Sequence, residues 1–165
     1  MMGGLHKLPM HLTSLSPAAW IATFFGSGLL KPASGTWGSL AGLAPGLFIA
    51  QHFGASGLII AAASAYGLGH WASTVWIDGS EDSDPSPIVI DEVAGLWLTL
   101  TLAPLTPLGI TLAFMLFRLF DIVKPWPVRW VDKNIGGATG IMLDDVLAGI
   151  WAALVLLAAR EFGLI

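Results

Sequence analysis

PASGTWGSLAGLAPGLFIAQHFGASGLIIAAASAYGLGHWASTVWI, residues 32–77, runs for 46 positions without an Asp, Glu, Lys or Arg. Soluble domains carry about 25% charged residues, so a stretch of this kind has no ionic groups with which to face water. Its second half, Gly57 to Ile77, is 21 residues, about 31 Å as a helix at ~1.5 Å per residue, which matches a bilayer core of ~30 Å. That half is the clearest spanning candidate. The first half differs: GSGLLKPASGTWGS, residues 26–39, has the Gly/Ser composition of a loop whose amides can approach a ligand closely. A short helix over 40–52, holding Pro45 and capped by Thr36 or Ser39, is expected to follow.

Outside this run the charges are crowded. Fourteen of the chain's 18 charged side chains fall within residues 78–92 and 118–145. Charged residues make up 11% of the whole and the mean hydropathy is +0.77, which suits a lipid-facing body with one polar, acid-rich surface. The length of 165 residues fits a single domain over 1–165, with 1–16 as a surface segment. That segment carries only Lys7 and is broken by Gly3, Gly4 and Pro9, so it lacks the apolar core of a secretory signal. A net charge of −4 and a pI near 5.3 argue against a nucleic-acid partner, because a phosphate backbone demands a basic face. The absence of cysteine excludes disulfides, thiolate metal sites and a cysteine nucleophile.

Working outward, Ser16-Pro17 opens a short helix over 18–25. Residues 93–117 are again uncharged, but Pro104 and Pro107 divide them, as a helical hairpin or a kinked span. The last apolar run, 146–159, reaches only about 21 Å as a helix, so it is tilted, extended past Arg160 or packed inside the protein. No strand-like alternation occurs. The expectation is an all-α, compact multi-helix, membrane-embedded bundle with about four apolar segments, some short or re-entrant.

An ionised side chain at the bilayer centre costs ~2.5 to 3.5 kcal/mol on the insertion scale, so both charged stretches belong at the surface or in a polar cavity. Arg118, Lys124, Arg129 and Lys133 share one loop, which by the positive-inside rule faces the cytoplasm. If residues 78–92 share that face, 93–103 and 108–117 form a hairpin and the acids converge.

Within DGSEDSDPSPIVIDE, residues 78–92, a solvated capping loop accounts for Glu81 and Asp82 as well as any ligand role does. Asp91 and Glu92 are different. They sit between IVI and VAGLW at the start of an apolar helix, where acids are expected to have a partner. In FRLFDIVKPWP, Arg118, Asp121 and Lys124 lie at i, i+3 and i+6, either as an ion-pair ladder or as one acid for metal and two cations for phosphate. In GGATGIMLDDVLAG, Asp144 and Asp145 stand at the head of the last apolar helix, and capping needs only one of them. Together Asp84, Asp91, Glu92, Asp121, Asp144 and Asp145 form a hard-oxygen set suited to Mg²⁺ with a phosphate substrate. The lone histidines, His6, His11, His52 and His70, read as structural.

Three blocks carry a resemblance: GSGLLKPASGTWGSLAG (26–42), DPSPIVIDEVAGLW (84–97) and FRLFDIVKPWPVRWVDKNIGGATGIMLDDVLAGI (117–150). The combination IVxDE, FRxFDxxKPWP and GIMxDDxxAG resembles the bacterial phosphatidylglycerophosphatase A family. Two positions depart from the family's usual pattern, Ser34-Gly35-Thr36 for Pro-Gly-Thr and Gly137-Ala138-Thr139-Gly140 for Gly-Gly-x-Gly. The resemblance implies an all-helical, Mg²⁺-dependent phosphatase of the bacterial inner membrane, multi-pass, that converts phosphatidylglycerophosphate to phosphatidylglycerol on the cytoplasmic side. The residue types then suggest roles: Asp91, Glu92, Asp121, Asp144 and Asp145 as metal ligands, with Asp121, Asp145 and Lys124 catalytic. Arg118 and Lys124 would offset phosphoryl charge, and Thr36 and Ser39 would complete the phosphate cradle. Water attack and an aspartyl-phosphate both remain open, as does the oligomeric state. The rivals are a CDP-alcohol transferase, whose spaced Asp-Gly, Ala-Arg, Asp, Asp pattern is not found, and a small cation transporter or channel. The latter would carry acids inside its apolar segments rather than at their edges.

Overall fold

The computed structural model describes residues 4–78, 80 and 82–165. Met1–Gly3, Gly79 and Glu81, one of the acids assigned above to a solvated loop, lie outside the described residues. Among the described residues the regular structure is entirely helical: α1 (Pro17–Ala22), a 3₁₀ turn (Ser27–Leu29), α2 (Ser34–Ile77), α3 (Ile90–Leu100), α4 (Pro107–Val123), α5 (Val128–Asn134) and α6 (Gly137–Glu161). An isolated bridge joins Leu5 to Leu30.

The uncharged run is one 44-residue helix broken at Gly54, whose φ of 63° and ψ of −160° are helical for no residue. The chain reverses there. Gly38 packs on Val89 and Gly69 on Ile90, so both ends of α2 lie beside the start of α3. The first limb begins at Ser34, six residues earlier than expected, and neither Thr36 nor Ser39 caps it; Ala33 enters it in a left-handed conformation. Gly38, Gly42 and Gly46, four residues apart, line its inner face, and Val89, Val93 and Trp97 of the α3 strip fill the space a side chain would take. Trp97 Nε1 donates to the Gly42 carbonyl at 2.8 Å, which fixes the register.

α3 and α4 form the hairpin, with the turn at 101–106 and Gly95 against Phe117. Thr106 caps α4 by accepting from the Gly109 N–H at 3.1 Å. The largest departure is α6. It begins at Gly137 rather than near Val146 and covers 25 residues, about 37 Å at ~1.5 Å per residue. Asp144 and Asp145 are therefore two turns inside it, not at its head, and the capping reading of this pair is corrected. Local glycines do not end the helix because Gly140 is pressed against the Ile135 carbonyl, a contact no larger residue permits. Similarly, Ser16 precedes α1 but does not cap it; its Oγ accepts from the Thr13 N–H instead.

α3 and α6 touch backbone to backbone. A side chain on Gly149 would meet the Gly95 backbone, one on Gly95 would lie 2.5 Å from the Asp145 carbonyl, and Thr99 Oγ1 donates to both the Gly95 and Gly149 carbonyls, at 3.0 and 3.2 Å. α2 and α6 are long and apolar enough to cross a membrane. One end of the bundle gathers the start of α2, the segment 82–89, the end of α4, α5 and the start of α6. Gly54 and the 101–106 turn lie at the other.

Candidate active site

The segment leading into α3 is pinned on both sides. The Val89 N–H donates to the Ala22 carbonyl at 2.8 Å, and Ser34 Oγ donates to the Ser86 carbonyl at 2.6 Å. This holds Ile90 as the first helical residue and places Asp91 and Glu92 in the first turn, where the free amides and dipole favour anions. The α3–α6 crossing then brings Asp145 beside them. One carboxylate oxygen from each of Asp91, Glu92 and Asp145 lies within 4.8 Å of the others, and Asp91 and Asp145 are buried.

Behind this trio stands Arg118. Its Nη1 contacts Asp121 Oδ2 at 2.7 Å and Glu92 Oε1 at 3.6 Å, and donates to Ser39 Oγ at 3.4 Å. Gly35 makes room for this group, because a side chain there would collide with Glu92 Oε1. Glu92 Oε2 is buried and has no hydrogen-bond partner. A buried carboxylate oxygen without a donor is costly, and a cation beside it would relieve that cost.

Lys124 ends α4 in a left-handed conformation, φ 50°, and turns to Asp132 on α5 and to Asp144 Oδ2 at 2.6 Å. Burial alone would lower its pKa, but the hydrogen bonds and charges of Asp132 and Asp144 outweigh that and raise it above the ordinary lysine value. Lys124 is thus a fixed ammonium, unsuited to proton transfer. Asp84 on the lead-in loop is also pushed upward, by burial, with Lys124 opposing.

These groups line a cavity of about 340 Å³. Its wall carries seven carboxylates, those of Asp84, Asp91, Glu92, Asp121, Asp132, Asp144 and Asp145, against the single cation Lys124. With all of them ionised, such a wall disfavours a phosphate, and a bound cation would offset that charge. The donor set is all oxygen, as hard cations require.

The cavity collects Asp91, Glu92, Asp121, Lys124, Asp144 and Asp145. It does not collect Thr36, Ser39 or Arg118. Ser39 is fully buried, its Oγ donating to the Gly35 carbonyl at 2.8 Å, and Arg118 braces Glu92 and Asp121 from behind. From the glycine-rich block it is Ser34 that reaches the wall, together with Ser83 and Ser86 of the lead-in. Asp132 is not readable from the sequence as a partner of Lys124, because the helix ends between them and the turn at Pro125–Pro127 decides which side chains meet. The histidines stand apart: His11 contacts the Val75 carbonyl, His52 the Phe48 carbonyl and His70 the Thr139 hydroxyl.

The acids of α6 also weaken one sequence argument, since they lie within an apolar helix as a transporter's would. Comparison with known proteins decides between the classes. The family model for phosphatidylglycerophosphatase A matches residues 20–160. A phosphatidylglycerophosphatase A of Haemophilus influenzae is 40% identical over 150 residues, covering 90% of this chain and 92% of the relative. That of Escherichia coli is 35% identical over 141 residues, 84% and 80% of the two chains. A Bacteroides thetaiotaomicron protein, provisionally named a phosphatidylinositol-3-phosphatase, is 38% identical over 149 residues, 85% and 91%. No solved structure matches. With its matched span running through α2, the lead-in, the Arg118–Lys124 helix end and α6, the chain belongs to the phosphatidylglycerophosphatase A family.

Proposed function

We propose that this enzyme hydrolyses the terminal phosphate monoester of phosphatidylglycerophosphate, with water as co-substrate, giving phosphatidylglycerol and inorganic phosphate. The observation that carries the reading is the meeting of Asp91, Glu92 and Asp145 from two helices around the partnerless Glu92 Oε2, in a cavity lined by seven carboxylates and one lysine. These three carboxylates would hold Mg²⁺, with Asp121 and Asp144 at the same wall. When bound, the ion supplies charge neutralisation and a polarised water. The chain's own groups do the rest. Lys124, kept cationic by Asp132 and Asp144, faces the cavity, where it offsets charge on the phosphoryl oxygens. Arg118 keeps Glu92 and Asp121 in place from behind. Ser83 offers a hydroxyl to the headgroup, while Ser34, its proton given to the Ser86 carbonyl, holds the lead-in at the cavity wall.

The apolar limbs of α2, the α3–α4 hairpin and α6 are proposed to lie in the bacterial inner membrane as a multi-pass body. The end that carries Arg118, Lys124, Arg129 and Lys133 faces the cytoplasm. The lipid tails then stay in the bilayer while the headgroup enters the acidic cavity. The test is phosphate release from phosphatidylglycerophosphate by purified protein in detergent, with Mg²⁺ and then with excess chelator. Release that depends on Mg²⁺ is expected. Release undiminished by chelation, or retained by Asp91→Asn with Asp145→Asn, would overturn the metal assignment.

A further inference from the structure

The segment before α2 carries large apolar side chains on its surface that the reaction does not use. Leu5, Trp20, Phe25 and Leu30 are all exposed, Phe25 to 70%. They form one patch: Leu5 is bridged to Leu30, and the Trp20 and Phe25 rings meet edge to face at 6.0 Å. Trp20 and Phe25 also share an apolar hollow of about 210 Å³ with Leu8 and Leu29. Trp37, Leu40 and Phe48 in the first limb of α2 are exposed as well. Both indole N–H groups are satisfied by backbone, Trp20 by the Ser14 carbonyl at 2.6 Å and Trp37 by the Pro32 carbonyl at 3.0 Å, so each ring presents its apolar edge outward at no polar cost.

Charge points the same way. No Asp or Glu precedes Asp78, whereas Lys7 and Lys31 flank the patch. Lys7 shares a hollow with Asp82, and Lys31 is exposed. α1 has six residues and is too short to cross a bilayer.

We infer that residues 5–37 form an in-plane platform that beds into the headgroup layer of an anionic bilayer. The platform rests on the membrane orientation proposed above. Its role follows from its bonds: the Ala22–Val89 and Ser34–Ser86 contacts tie it to the segment that carries Asp91, so it sets the depth at which the cavity meets the headgroups.

The chain lacks cysteine, so single nitroxide labels are clean. Labels at Phe25→Cys, Ile60→Cys and Lys133→Cys are compared in phosphatidylcholine vesicles with and without phosphatidylglycerol, by accessibility to oxygen and to a nickel chelate. Leu30→Cys reports on the same patch if Phe25→Cys folds poorly. The expected result is Ile60 in hydrocarbon, Lys133 in water and Phe25 about 5–10 Å below the headgroups. Phe25 is also expected to sit deeper in anionic vesicles, with Lys31→Gln removing that difference. A Phe25 label as open to nickel as Lys133, with Ile60 still in lipid, overturns the platform and leaves the orientation standing. All three labels in water overturn both. Equal Phe25 depth in the two vesicle types overturns the anionic part.

Discussion

Glu92 is the residue on which the candidate centre turns. One of its oxygens is braced by Arg118 and the other has no partner. Removing its charge should therefore separate function from stability: Glu92→Gln is expected to lower activity at least ~100-fold while leaving Tm unchanged or higher, because like-charge repulsion with Asp91 and Asp145 is relieved. Activity against Mg²⁺ concentration and a thermal melt check this together. Arg118 predicts the opposite balance. Arg118→Met strands Glu92 and Asp121 and should cost about 3 kcal/mol of stability, with Arg118→Lys failing to restore it because an ammonium cannot serve both acids and Ser39. Denaturant melts of the two variants give the result. At this scale the sequence was informative where chemistry is local: Asp91 and Glu92 stand out beside apolar neighbours. It was mute on Asp132 and on the choice of Ser34 over Thr36, since both depend on how a turn aims its neighbours.

At the scale of elements, glycines decide how near helices come. The α3–α6 crossing has no side chain between Gly95 and Gly149, and it is this closeness that puts Asp145 beside Asp91 and Glu92. Gly149→Ala would place a methyl within 3.0 Å of Gly95 Cα, and the helices must part. We expect a loss of about 1–3 kcal/mol and, in the fraction that remains folded, weaker Mg²⁺ dependence, read by activity titration on protein first sorted by size. The same glycines hid the boundaries from view. GGATG reads as a turn because Gly and Thr are poor helix formers, yet here it supplies the N-cap, Gly136, and about the first turn of α6, with Gly140 packed on Ile135. The break at Gly54 was equally silent, since nothing in HFGAS distinguishes a reversal from a tolerated glycine.

For the whole molecule, the reversal at Gly54 and the 101–106 turn put the charged stretches 82–92 and 118–136 at one end. The charge pattern required only that both charged stretches lie at a surface or in a polar cavity, because fourteen ionic groups cannot be spread through lipid; that they share one end, and the helix lengths, it could not supply. A membrane-impermeant thiol reagent should label Lys133→Cys only from the cytoplasmic side and Ser56→Cys, beside Gly54, only from the other. Labelling of both from one side would refute the proposed orientation.

The trio Asp91, Glu92 and Asp145 also has a consequence in time. Asp145 follows Glu92 by 53 positions, on the last helix to be synthesised. A growing chain that has already made α2, α3 and α4 carries two of the three acids on one helix and cannot close the cluster. On the proposed site, catalytic competence is expected to arrive late, when α6 docks against α3 and brings Asp145 to the two acids already in place.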